Sequence, residues 1–176
     1  MVTDLVQIRQ LAAAKGDENI EFRRYLNAHH PAHDALRHVA EHVAEQIDCT
    51  ACANCCRETT VEVSAEDIET IARFLDAPPG EVKQLYTIAD PAAADPAGGA
   101  RILRQTADGC VFLAGNLCGI YAARPRPCRE FPFLLATTTS LGSRMPSIFV
   151  RARLCPIVYN SLEELKKLTG FHPHHI

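Results

Sequence analysis

Four cysteines fall within eight residues, Cys49-x2-Cys52-x2-Cys55-Cys56, and this cluster constrains the chain more than any other feature. Two-residue spacing lets a tight turn aim successive sulfurs at one ion or cluster, whereas disulfides between such near neighbours are strained. Cys110, Cys118, Cys128 and Cys155 bring the total to eight, each beside a turn former or rigid residue: Gly109, Gly119, Pro127 and Pro156. Rigid neighbours suit ligands that must be held in one orientation. The start of the chain has acidic Asp4 and alternating polarity instead of a basic stretch followed by an apolar run, so neither a secretory signal nor a membrane span is expected. The expected compartment is the reducing cytoplasm, where eight thiols point to metal rather than to a disulfide framework.

Side chains of adjacent residues tend to diverge, so Cys55 and Cys56 are hard to fit on one tetrahedral ion. The eight thiols therefore make either two centres of four or one centre with spare cysteines. The first three cysteines have the spacing that begins the ferredoxin run, and Cys155-Pro156 supplies a distant Cys-Pro pair, although the usual fourth cysteine of that run is missing. No second C-x2-C pair appears, as a zinc ribbon would require. The spacing favours an iron-sulfur cluster over zinc.

Charge is uneven. The segment 101–153 carries eight arginines against two acids, Asp108 and Glu130, in a chain of net charge −3. A basic half can indicate nucleic acid, but metal-bound thiolates carry negative charge that the formal count omits. The arginines are expected to face the protein's own sulfurs, with nucleic acid not favoured as a partner.

The first 48 residues read as helices: Leu5 to Ala12, a break near Gly16-Asp17, a second stretch through Leu26, and a third opened by Pro31 with Leu36, Ala40, Val43 and Ile47 on one face. A short strand at 59–63 leads into a capping box, Ser64 with Asp67, and a helix carrying Ile68, Ile71, Ala72 and Leu75. Residues 89–100 read as a loop. Short extended runs are expected at 101–105, 111–113, 134–138 and 147–151, with too little apolar material for a large core. A second capping box, Ser161 with Glu164, opens a final helix that Gly170 closes. The expected class is α+β, a small metal-stapled domain of short strands and turns: a helical lead over 1–48, a cysteine-cluster core over 49–160, and a C-terminal helix and tail over 161–176.

The run Cys49-Thr-Ala-Cys52-Ala-Asn-Cys55-Cys56-Arg57, then Cys110-Val-Phe112-Leu113, Cys118-Gly-Ile120-Tyr121, Arg124-Pro125-Arg-Pro-Cys128-Arg129-Glu-Phe131-Pro132-Phe133 and Cys155-Pro156, resembles the YkgJ-type cysteine-cluster family of zinc- or iron-chelating proteins. That family is similar to the cysteine-rich part of flagellin lysine methylases. The resemblance implies ligand roles for Cys49, Cys52, Cys55, Cys56, Cys110, Cys118, Cys128 and Cys155, without saying which four share a centre. Ala53 departs from it, since the family commonly has glycine there; a positive φ would strain an alanine.

Arg124 and Arg129 flank Cys128 and are expected to donate to sulfur and offset a cluster's negative charge. Phe112, Tyr121, Phe131 and Phe133 are expected to form an apolar shell around the centre. His38 and His42 stand four apart on a helix, a ligand spacing, but read as a solvated polar face; His172, His174 and His175 read as a tail. No phosphate loop, dinucleotide fingerprint or nucleophile elbow is present, so the sequence supplies no catalytic residue of its own. The expected function is metal binding, favouring an iron-sulfur centre in an electron-transfer, metal-handling or accessory role with a protein partner. A structural zinc protein and an enzyme or partner in protein lysine methylation are the alternatives.

Overall fold

The Asp4 carboxylate accepts the Gln7 N–H at 2.7 Å and so caps the first helix, α1 (Leu5–Ala14). The computed structural model describes residues 1–31, 34–94, 99–134 and 140–173. Along the chain follow α2 (Gly16–His29), α3 (Ala35–Ala44), two short helices α4 (Cys49–Cys52) and α5 (Asn54–Glu58), strand β1 (Glu62–Val63), α6 (Ala65–Leu75) and α7 (Pro79–Tyr86). Strands β2 (Thr87–Ala89), β3 (Arg101–Leu103), β4 (Gln105–Thr106), β5 (Gly109–Cys110), β6 (Leu113–Ala114) and β7 (Leu117–Cys118) precede α8 (Arg126–Glu130), α9 (Leu141–Ala152) and α10 (Pro156–Leu168). The class is α+β, as the sequence implies. Two compact units emerge: one from residues 1–48 and 132–176, the other from 49–131.

The helical unit buries one face of each helix. Ile8, Phe22, Leu36, Val43, Met145, Ile148, Leu162 and Leu165 are almost wholly removed from water, and α10 packs on both α3 and α9. Lys166, also buried, is neutralised by Glu18 at 2.6 Å and Glu163 at 2.9 Å. α3 begins at Ala35 rather than at Pro31.

Two expectations for this unit are corrected. Residues 147–151 are helical, within α9, despite β-branched side chains and Pro146 inside the helix. Proline has no N–H to give to the carbonyl four residues back, Gly142, and that carbonyl instead accepts the Arg23 guanidinium at 3.0 Å. α10 starts at Pro156, five residues before the expected capping box, so Ser161 lies mid-helix, fully buried and with no partner for its hydroxyl among the described residues. Its C-terminus is as expected. Gly170 adopts φ +69, its N–H bonds Lys167 O, and Phe171 N–H bonds Lys166 O, which satisfies the last carbonyls. Of the run expected at 134–138, all but Leu134 lies outside the described residues, as do 95–98 of the 89–100 loop and the tail residues His174 and His175.

In the cysteine unit, β3 is the centre of an antiparallel sheet of order β1-β3-β2, with Ile102 opposite both Glu62 and Ile88. Ser64 and Asp67 form the capping box of α6, whose Ile68, Ile71 and Ala72 pack with Val61, Val63, Val82, Leu103, Ile120 and Ala123. Arg101 and Arg104 cross to the end of α7 and donate to the carbonyls of Lys83, Gln84, Leu85 and Thr87. The two hairpins, β4-β5 and β6-β7, are two residues per strand, and each ends in a cysteine.

Candidate metal centre

The first cysteine cluster folds as two helical turns joined at one residue. Cys49 and Cys52 lie on α4, Ala53 adopts φ 49 and ψ 15, and α5 then carries Cys55 and Cys56. Ala53 is thus an alanine in left-handed backbone, the strained condition that its place in the motif raised, at a cost of about 1 kcal/mol relative to glycine. Cys55 stands beside Cys56 and donates to its sulfur.

A clamp that the sequence did not disclose ties this cluster to the β6-β7 hairpin. Arg57 donates to Cys52 O at 3.0 Å, to Gly115 O at 2.9 Å and to Asn116 Oδ1 at 2.6 Å. Asn116 in turn donates to Ala51 O at 3.1 Å. An arginine after a cysteine pair and an asparagine in a hairpin turn carry no pattern linking them; only Gly115-Asn116 as a turn signal was readable.

The β4-β5 hairpin approaches α5 through Gly109. Its φ is +118, and a Cβ there would stand 2.8 Å from both Arg57 Cα and Cys56 O, so only glycine lets Cys110 come beside Cys56. Both hairpin cysteines use the same local device. The Cys110 sulfur accepts the backbone N–H of Phe112, and the Cys118 sulfur accepts that of Ile120, two residues on in each case. Gly119 N–H to Phe112 O, at 2.8 Å, joins the two turns.

The fourth thiol is delivered by α8. Asp67 reaches from the cap of α6 to accept the Arg126 N–H at 2.8 Å while also holding Ser64, which fixes the start of the helix bearing Cys128. Burial favours the neutral acid, but the backbone N–H groups of Ser64 and Arg126, the Ser64 hydroxyl and the Arg129 charge outweigh it and hold the Asp67 carboxyl below its ordinary value.

Cys56, Cys110, Cys118 and Cys128, from α5, β5, β7 and α8, therefore lie near one another. The last three pack against the unit's apolar cluster; the charge of Cys56 reaches all three of them, that of Cys118 reaches Cys110 and Cys128, and that of Cys110 reaches Cys128. Burial, then the charges of the other three thiols, push Cys128 up to about 12. Burial likewise raises Cys110 and Cys118. Cys56 goes the other way, to about 6, because Cys55 donates to it and Arg124 and Arg57 add positive charge, against the opposing effect of burial. Crowded, half-buried thiols resist joint ionisation, and a bound cation removes that resistance. The donor set fits a thiophilic metal, with backbone N–H groups already directed at two sulfurs. Among the described residues, no three His, Cys, Asp or Glu side chains close on a single ion-sized point.

The other expected site residues are distributed. Cys49 is exposed and Cys52 and Cys55 half-buried, on α4 and α5; Cys155 belongs to the helical unit, buried at the cap of α10. The charge of Arg124 reaches Cys56, Cys118 and Cys128, with its guanidinium 3.7 Å from the Tyr121 ring centroid. Arg129 donates to Arg124 O at 2.6 Å. Of the four aromatics expected around the centre, Phe112 packs on the apolar cluster and stacks with Tyr86, whereas Tyr121 is 60% exposed and Phe133 belongs to the helical unit. Among the described residues, no helix is long and apolar enough to cross a membrane.

A thiol-lined set built for a soft or borderline metal defines the class as a metal-chelating domain. Residues 48–156 match the model of the CxxCxxCC family, described as "Putative zinc- or iron-chelating domain", and the chain belongs to that family. No curated protein and no solved structure matches it.

Proposed function

We propose that the chain carries an iron-sulfur centre on Cys56, Cys110, Cys118 and Cys128, in an electron-transfer or metal-handling role in the cytoplasm. The observation that supports this reading is that those four thiols, carried by four separate elements, lie near enough to act on one another's charge. Of the two partitions open to eight thiols, it favours one centre of four, with Cys49, Cys52, Cys55 and Cys155 as spare thiols. When bound, such a centre would supply one-electron exchange. The chain's own part is to orient the sulfurs by the Phe112 and Ile120 N–H groups, and to offset sulfur charge with Arg124. The sequence has no second, separate C-x2-C pair, as a zinc ribbon would require, which supports iron-sulfur over zinc.

Zinc is the second reading, and one observation favours it: four neighbouring thiols match the ligand number of a closed four-thiolate zinc site. Protein produced with ample iron and kept under nitrogen is expected to be brown, to contain iron and acid-labile sulfide in similar amounts, and to bleach on reduction. Colourless protein holding stoichiometric zinc under the same conditions would overturn the iron-sulfur reading. Cys128→Ser should empty the centre, whereas Cys49→Ser should leave it filled. A role in protein methylation rests on the resemblance alone, and a methyl donor raising the melting temperature would bring it forward.

A further inference from the structure

We propose that the helical unit carries an anion site on α9, in which Arg144 and Arg151 take the phosphoryl group of inorganic phosphate or of a small phosphate monoester. The two arginines stand seven residues apart, two turns along one face of the helix. Both guanidiniums end at Phe133. Arg144 Nη2 donates to Phe133 O at 3.0 Å and to Leu134 O at 2.9 Å, and the Arg151 guanidinium lies 4.6 Å from the Phe133 ring centroid. Arg151 leans back along the helix to get there, and its Nη1 donates to the Ser147 hydroxyl, one turn earlier, at 3.1 Å. Ser147 is itself anchored, donating to Arg144 O at 2.9 Å.

The pair lacks a counter-charge. Elsewhere the chain supplies one: buried Lys166 has Glu18 and Glu163, and exposed Arg126 has Glu130 at 2.7 Å. Around Arg144 and Arg151 the partners are neutral, namely two carbonyls, a hydroxyl and a ring face. No carboxylate of the described residues acts on either charge. Burial lowers both guanidiniums from their ordinary value, and the Arg151 charge lowers Arg144 further. Two half-buried like charges held only by neutral groups repel each other, and an anion between them turns that repulsion into attraction. A phosphate monoester carries about −1.5 to −2 at pH 7, which matches two guanidiniums, and their planar forks suit its oxygens. The backbone between them is also held out of its ordinary range. Phe133 adopts φ 62, an outlier for a bulky residue, at the carbonyl that Arg144 grips. Strain of this kind gathers at ligand clamps. The site uses none of the thiols and does not depend on which metal they hold.

The test is titration of sodium phosphate, and in a second arm phosphoserine, into full-length metal-loaded protein at an ionic strength held constant with chloride. Binding is read by calorimetry and by the arginine Nε–H signals in 1H–15N NMR. One equivalent should bind saturably, and the Arg144 and Arg151 signals should move first. Arg151→Gln leaves the Arg144 bonds to Phe133 and Leu134 in place and should weaken binding on the order of tenfold or more. Ser147→Ala, which frees Arg151 from its anchor, should cost about threefold. Arg153→Gln, at the exposed C-cap of the same helix, should change nothing. Tighter binding of phosphoserine would identify an ester as the ligand, and phosphate binding as tightly or more tightly would identify the free ion. No saturable binding of either, first movement at other arginines, or the same loss in Arg153→Gln as in Arg151→Gln would overturn the proposal.

Discussion

The helical unit and the cysteine unit are held by different means. In the first, long helices meet through side chains that are wholly buried, such as Phe22, Met145, Leu162 and Leu165, and its buried Lys166 is matched by two carboxylates. In the second, an apolar cluster around α6 and β3 is real but modest, and beyond it the chain makes strands of two residues whose inward groups are thiols. Hydrophobic burial needs no cofactor, whereas crowded thiols with raised pKa values are a liability until a cation neutralises them. One chain thus joins a unit held by buried apolar side chains to a unit whose shortest strands carry thiols.

The widest separation between the two should come from removing the metal. Chelation under reducing conditions is expected to abolish amide protection in the hairpins β4-β5 and β6-β7 and in α8, while α2, α9 and α10 stay protected; equal loss of protection in both units would dissolve the contrast. Next in size, Leu165→Ala should lower the stability of the helical unit by about 2–5 kcal/mol in urea melts and leave metal content unchanged. Gly109→Ala attacks the other side. Its Cβ would meet Cys56 O and Arg57 Cα at a positive φ, so metal affinity should fall clearly while the helical unit melts normally.

Acid sensitivity sharpens the comparison further. Asp67 has a folded-state pKa below its unfolded one, so its contribution is complete above the ordinary carboxylate value and disappears as pH falls through the folded value. Between about pH 5 and pH 3, the urea midpoint of wild-type protein should drop more steeply than that of Asp67→Asn. The smallest effect is favourable. Ala53→Gly relieves left-handed strain and should stabilise the cysteine unit by about 0.5–1 kcal/mol, partly offset by the lost burial of a methyl group; a melting temperature that falls would show that this methyl matters more than the backbone.

What was legible in the sequence was local. Ser64 with Asp67, and Gly170 after a helical run, act through neighbours three or four residues away, and both hold in the structure. The family was legible too, because its cysteine spacings are dense. The helix over 147–151 was not legible because the group that compensates for Pro146 within it, Arg23, lies more than a hundred residues earlier. Ser161 misled because a serine followed three residues on by a glutamate looks the same at a helix start and mid-helix, and Pro156 was read as a mark of a rigid ligand rather than as a first helical residue. The grouping of Cys56, Cys110, Cys118 and Cys128 depends on Gly109 meeting α5 and on Asp67 holding Arg126, contacts that no spacing announces.

Asn160 grips the backbone of Val2 from both sides, accepting its N–H at 2.9 Å and donating to its carbonyl at 2.7 Å. The helical unit is thus closed across almost the whole length of the chain, while the cysteine unit is one unbroken stretch of sequence, 49–131, between its two segments. On the ribosome this imposes an order. The thiols of residues 49–128 are all made before Leu162 and Leu165, so the first helices of the chain wait for packing partners that follow every cysteine of the other unit.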